Sequence, residues 1–246
     1  MTVICNIYNS VKNLLPHFYK HYMAYGITYF LFGIHEGSQN PVWNEIIKLS
    51  PSSSTTTLVE SYRGPIHGSK EGESLNKLRE AAGGLWVIPT DLDEFHVPGH
   101  FKTFSDLAMA CDSEQAVYVH SILQDQICDN GIIPLHIFPD ITIEKQFPLY
   151  YNITGKILGA CEKKVCLSRQ HLPLNNGHHY LGCNSDSDLF HKCFSQQMIT
   201  RHYKWFGNLY EKETEKWNEY SKCGLSYATE NERLLRHLQQ HNGNLL

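Results

Sequence analysis

A chain of 246 residues, 41% hydrophobic and 19% charged, has the composition of a globular protein with one large core or two small ones, not of a disordered segment. Its formal net charge of -4 excludes a broad electrostatic grip on nucleic acid, but not a phosphorylated small substrate whose charge a metal neutralises locally. Met1 to Tyr8 lacks the basic and long apolar regions of a signal peptide, and no window approaches the ~18 apolar residues of a membrane span, so a soluble, cytoplasmic protein is expected.

The first hundred residues alternate two kinds of segment. Thr2 to Tyr8 is an apolar, β-branched run ended by Asn9 and Ser10, and reads as a strand. Leu14 to Tyr25 carries apolar residues at helical spacing, with Gly26 as its stop. Ile27 to Ile34 is a second strand, Pro41 to Leu49 a helix with proline in its first turn, and Thr55 to Tyr62 a third strand. Ser69 to Ala82 is a helix ended by Gly83 and Gly84, and Leu85 to Ile88 a fourth strand. This βαβαβαβ order predicts an α/β fold: an open, mostly parallel, Rossmann-like sheet with helices on both faces. Ligands of such sheets bind beyond the carboxyl ends of the strands.

The second half is less regular. Phe101 to Cys111 reads as a helix, Ala116 to Leu123 and Lys164 to Leu167 as strands, and 126 to 150 as loop. Helices are expected from Leu209 and over Asn231 to Gln240. No linker divides the chain, so one domain is expected over 1–246, with a ligand-binding half at 1–96 and a second half at 97–246. Eight cysteines without a CxxC pair read as free thiols, and the spacing of Cys161, Cys166, Cys183 and Cys193 fits no familiar zinc pattern. The sequon Asn152-Ile153-Thr154 is then a chance match.

Trp86 to Phe95 is the informative stretch. An apolar strand runs into Asp91-Leu92-Asp93-Glu94, and an extended backbone would project Asp91 and Asp93 to one side with Leu92 on the other. Two carboxylates so placed repel unless a hard cation neutralises them. Mg²⁺ or Mn²⁺ favours one or two carboxylates plus phosphate oxygens and water. Asp91 and Asp93 are therefore read as metal ligands, against the alternative of a surface turn. Glu94 is either a partner of those ligands or only a neighbour.

The order of strands and helices, with Asn9, Glu36 and Arg63 after the first three strands and Asp-x-Asp after the fourth, resembles the GT-A glycosyltransferases. Trp86-Val87-Ile88-Pro89-Thr90-Asp91-Leu92-Asp93-Glu94-Phe95 is similar to a signature of their family-2-like group, which includes many enzymes of bacterial surface-polysaccharide synthesis. Ile7 to Ser10, Leu14 to Gly26, Lys156-Ile157-Leu158, Gly177-His178-His179-Tyr180 and Arg201-His202-Tyr203-Lys204-Trp205 resemble further segments of that group. Between 110 and 150 the likeness is weak, and Ile122 to Gln126 stands where the group often has other residues.

The resemblance implies a nucleotide-sugar donor, a divalent metal (Mn or Mg) held by Asp91 and Asp93, and a saccharide, lipid-linked or protein acceptor. The acceptor would be the route to any peripheral membrane association. It implies donor contacts from Asn9, Glu36, Arg63, Lys70 and Asn76, each equally readable as turn or surface chemistry, and from Asp91 itself. One of His178 and His179 would complete the metal shell or touch the diphosphate, and His202 has similar standing. Tyr203 and Trp205 stack on a sugar or simply pack. An inverting transfer needs a base near the acceptor hydroxyl, for which Asp125, Asp186 and Asp188 are the loop carboxylates, with Asp125 the candidate. The competing readings are a Mg-dependent nucleotidyltransferase, which lacks its glycine-rich loop after strand one, and a non-catalytic carbohydrate-binding protein, which leaves the paired aspartates unexplained. No GxGxxG follows the first strand, which disfavours a dinucleotide oxidoreductase.

Overall fold

The computed structural model describes residues 1–7, 13–63, 68–182 and 191–246. The chain divides into two compact units, one formed by Met1–Ile122 and Lys163–Thr200, the other by Leu123–Glu162 and Arg201–Leu246. No linker marks the division in the sequence, because two of the three chain crossings fall inside strands, β6 (Tyr118–Ile127) and β9 (Met198–His202).

In the first unit the expected α/β sheet is present. Strands β1 (Thr2–Ile7), β2 (Tyr29–Ile34), β3 (Thr55–Glu60) and β4 (Trp86–Asp91) pair in the order β3-β2-β1-β4, all parallel. The path continues through β8 (Lys163–Arg169), β6, β9 and β5 (Glu94–Val97), with β8 antiparallel to both β4 and β6. β1 is buried at every position, as a strand covered on both faces must be, which is why it reads as an unbroken apolar run.

Alternation along the strands assigns the helices to their faces. Leu31 and Ile4 join Leu75, Leu78 and Ala82, on and just after α3 (Gly68–Ala81), in one apolar cluster that also takes in Val87 and Val165. Phe30 and Phe32 turn the other way and meet α1 (Leu15–Ala24), where Tyr19 packs edge-on against Phe30 at 4.8 Å between ring centroids. Phe18 reaches Phe32 at 6.0 Å and Phe95 also at 6.0 Å, and Tyr22 stacks on Phe104 of α4 (Phe104–Glu114) at 6.0 Å. Each of these fully buried rings contributes on the order of 2 kcal/mol of burial free energy, so this aromatic layer is a main anchor of α1. A capping box at Thr103 and Asp106 starts α4.

The second unit has its own core of Ile127, Ile153, Leu158, Trp205, Leu209, Leu234, Leu238 and Leu245. The end of β6 pairs antiparallel with β7 (Leu149–Tyr151). A short helix, α5 (Ile143–Gln146), precedes β7, and α6 (Leu209–Lys222) and α7 (Tyr227–Gln240) form a helical hairpin closing this core. Among the described residues, no helix is long and apolar enough to cross a membrane.

Candidate functional site

The chain runs β1, β2, β3 outward in one direction and then returns to lay β4 on the other side of β1. The switch point, where a doubly wound sheet opens a crevice for ligands, therefore lies beyond the carboxyl ends of β1 and β4. Asn6 of β1 stands in register with Asp91, the last residue of β4. Asn6 is buried, donates to the Glu71 carbonyl at 3.1 Å and accepts from Ser74 Oγ at 2.7 Å. It thereby ties the start of α3 to this end of the sheet. Gly33 of β2 leaves room for it: a Cβ there would stand 2.6 Å from Asn6 Oδ1.

The acidic segment differs in one respect from the sequence reading. β4 ends at Asp91, Leu92 and Asp93 form a turn, and β5 begins at Glu94, so the backbone is not extended through the motif. The Thr90 hydroxyl closes this turn by bonding the Glu94 carbonyl at 2.8 Å. Burial still alternates: Leu92 is buried, while Asp91 and Asp93 keep part of their surface in solvent.

Behind them lies a polar triad. Glu94 is buried, with Oε1 2.7 Å from Lys164 Nζ and Oε2 2.9 Å from His178 Nε2. Lys164, also buried, donates to the Gly177 carbonyl at 3.0 Å and approaches Asp91 Oδ2 at 3.5 Å. Burial alone would lower the lysine's pKa, but Glu94 and Asp91 outweigh it and hold it above the ordinary range, so the ammonium persists at any physiological pH. Burial and the charge of Glu94 push Asp91 upward, although its carboxylate is 46% exposed and solvent screens that effect. The negative field reaches Cys5, whose thiol burial raises first and the carboxylates 91, 93 and 94 raise further.

A carboxylate can only accept, so His178 Nε2 donates to Glu94. The segment holding His178 is tightly built. Gly177 has φ +66° and His178 φ +44°, and Leu174 bridges to Leu181. A Cβ at Gly177 would stand 2.9 Å from His179 Nε2, so glycine fits both the backbone and the space.

Glu94, His96 and His178 are the one group of three ligand-type side chains among the described residues whose donor atoms all lie within 4.8 Å, and no described cysteine joins them. His96 is already satisfied. Its Nε2 donates to the Pro89 carbonyl at 2.8 Å, and its Nδ1 accepts from Thr200 Oγ1 at 2.6 Å, which in turn meets Ser121 Oγ at 2.5 Å. Burial lowers the His96 pKa to about 3, so the ring is neutral and serves as a rivet between strands. This trio does not present three open ligands.

The remaining candidates separate. Asn9, Asp186 and Asp188 lie outside the described residues. Glu36, at φ +61°, and Arg63 stand just past β2 and β3, with Arg63 paired to Glu60 at 2.7 Å on the surface. Lys70 forms an exposed pair with Glu73 at 2.9 Å. Asn76 is occupied structurally: it donates to the Leu174 carbonyl at 2.7 Å and accepts from Leu174 N at 2.9 Å, pairing with that residue as a backbone strand would. His179 Nδ1 donates to the Lys163 carbonyl at 2.6 Å, and burial lowers its pKa to about 3. Lys156, the lysine suggested by resemblance, is exposed, whereas Lys164 is the lysine beside the acidic motif.

In the second unit Asp125 does not have the surroundings of a general base. It is buried and saturated. Oδ2 accepts from Thr154 N at 2.6 Å; Oδ1 accepts from Thr154 Oγ1 at 2.9 Å, His202 Nδ1 at 2.7 Å and Trp205 Nε1 at 3.1 Å. Burial would raise its pKa, but the bonds from His202 and Thr154 outweigh burial and hold it below the ordinary carboxylate range. Period and turn signals could not reveal this, because its partners lie 29 to 80 residues away. Tyr203 and Trp205 are buried in the core of this unit, which is packing rather than an open stacking surface.

No family model matches the chain, and no curated protein does. Among solved structures it is similar to S. aureus TarS: 16% identity and a TM-score of 0.39, over 98% of this chain and 43% of that one. For TarS 1-349 in complex with UDP-GlcNAc the values are 14%, 0.41, 98% and 72%. HddC from Yersinia pseudotuberculosis complexed with GMP-PN matches at 11% identity and a TM-score of 0.35, over 56% of this chain and 64% of that one. The chain thus spans less than half the length of the longer TarS structure.

Proposed function

We propose that the chain is a metal-dependent glycosyltransferase of the GT-A type, moving a sugar from a nucleotide-diphosphate sugar to a saccharide, lipid-linked or protein acceptor. The observation that carries this reading is the position of Asp91 and Asp93: partly exposed carboxylates at the switch point of a parallel sheet, backed by a buried Glu94 that Lys164 and His178 hold.

Their chemistry fits a hard divalent ion. Asp91 and Asp93 offer two carboxylates and not a complete protein shell, which suits an ion that keeps water and takes diphosphate oxygens. His178 would add its Nδ1, oriented by Glu94 as a carboxylate orients a ligand histidine. Mn²⁺ or Mg²⁺ bound there would neutralise charge developing on the leaving diphosphate. In the transfer, the bond from the anomeric carbon to the diphosphate oxygen breaks and a bond to an acceptor hydroxyl oxygen forms. The hydroxyl proton leaves to a base.

A thermal-shift screen of UDP-, GDP-, CMP- and dTDP-sugars with Mn²⁺ and with EDTA tests the reading, since a ligand of the folded state raises its apparent stability. At least one diphosphate donor should stabilise the protein with Mn²⁺ and lose that effect in EDTA. Equal stabilisation in EDTA would remove the metal from the reading, and release of pyrophosphate from a nucleoside triphosphate and a sugar phosphate, with no nucleoside diphosphate released from any donor, would favour a nucleotidyltransferase.

A further inference from the structure

We propose that Lys164 is a built-in counter-cation of the acidic site and limits it to a single divalent ion. The inference rests on the divalent-cation reading of Asp91 and Asp93. The ammonium aims at three acceptors, Glu94 Oε1 at 2.7 Å, the Gly177 carbonyl at 3.0 Å and Asp91 Oδ2 at 3.5 Å, and its side chain is 7% exposed. It occupies the place among the carboxylates that a second metal ion would need.

The distances also rank its attachments. Lys164 is bound closely to Glu94 and leans only loosely on Asp91. Asp91 can therefore exchange the lysine for an incoming ion while Glu94 keeps it. The ammonium permanently offsets one carboxylate charge of the cluster, so less negative charge is left to draw in a second ion once a first is bound. A second ion would add its charge to a partly buried cluster that the lysine and the first ion have already offset. Before any ion arrives, the lysine relieves repulsion that would otherwise oppose folding around the motif. Lys164 also weakens the site for metal, because a like charge stands beside the incoming ion.

The test is titration of the full chain with Mn²⁺ alone, counting free ion by electron paramagnetic resonance, with thermal unfolding measured in parallel. Wild type should take up one Mn²⁺. Lys164→Gln, which removes the charge and keeps a donor for Glu94, should bind Mn²⁺ more tightly by about tenfold or more. The double variant Lys164→Met/Glu94→Gln removes one charge of each sign and should return the affinity to within a few-fold of wild type. A Lys164→Gln protein that folds only with Mn²⁺ supports the proposal by the same reasoning. Uptake of two ions by wild type, unchanged or weaker affinity in Lys164→Gln, or a variant unfolded with and without Mn²⁺ overturns it. If wild type binds one ion and Lys164→Gln binds no better, only the role of Lys164 fails. If neither protein binds Mn²⁺, the cation reading of Asp91 and Asp93 falls with it.

Discussion

Replacing Asp125 by alanine separates a structural keystone from a catalytic base. The substitution removes the acceptor of four donors, Thr154 N, Thr154 Oγ1, His202 Nδ1 and Trp205 Nε1, in the interior of the second unit. A buried donor left unsatisfied costs roughly 1–3 kcal/mol, and breaking a buried charged network typically costs about 3–5 kcal/mol. Taking about 1 kcal/mol for each donor, and allowing partial relaxation toward water, Asp125→Ala should lose roughly 3–5 kcal/mol. Urea unfolding at pH 7 reads this as a fall in the midpoint at unchanged slope. The network also sets a sign for pH. The folded pKa of Asp125 is depressed, so its contribution is present above the unfolded value and lost as pH falls through the folded one. The difference between wild type and variant should therefore shrink in acid. An Asp125→Ala protein within 1 kcal/mol of wild type, but inactive in transfer, would refute the keystone and restore the base.

Three further outcomes follow from the same geometry. The His96 pKa lies near 3 against an ordinary value near 6.5, so the unfolded chain takes up the proton first; stability should be fully present above about pH 6.5 and decline toward pH 3, with His96→Gln flattening that slope in urea unfolding. Asn76→Ala should cost about 2 kcal/mol by releasing Leu174, while nucleotide binding by the folded fraction stays near wild type; loss of nucleotide binding at unchanged stability would make Asn76 a ligand contact after all. His178→Ala should weaken Mn²⁺ binding in the same titration while the protein remains folded, and an unchanged affinity would leave His178 a structural partner of Glu94.

Much of the first unit was legible because its parallel strands are buried on both faces and appear as apolar runs broken by helical periodicity, as in Val3-Ile4-Cys5 and Phe30-Leu31-Phe32. β5 and β9 were not, since Glu94-Phe95-His96-Val97 and Met198-Ile199-Thr200-Arg201-His202 place polar groups inside strands, where burial is made tolerable by partners distant in sequence. Asp91 and Asp93 stood out because an apolar strand leads straight into them. Lys164 did not, because Lys163-Lys164 at the start of a strand reads as a solvated edge. Alternation in Lys164-Val165-Cys166-Leu167 gives no sign that one lysine turns inward, and only the fold brings Glu94 to it. The antiparallel pairing of β8 and β6 was likewise hidden, because register depends on contacts and not on composition.

The most direct measurement is made on Asp91→Asn and Asp93→Asn, assayed for sugar transfer with the donor found by the screen and with Mn²⁺, alongside thermal unfolding of the metal-free proteins. Each change keeps shape and polarity but removes a charge from a cluster in which Glu94 and Asp93 already oppose the ionisation of Asp91. The metal-free variants should be as stable as wild type or slightly more so. Weakened stabilisation of a leaving diphosphate is commonly worth roughly 3 kcal/mol or more, so transfer should fall by at least about a hundredfold. Stable, inactive variants are the predicted result. Asp91→Asn and Asp93→Asn proteins that retain full transfer activity would contradict a metal-dependent glycosyl transfer at this motif.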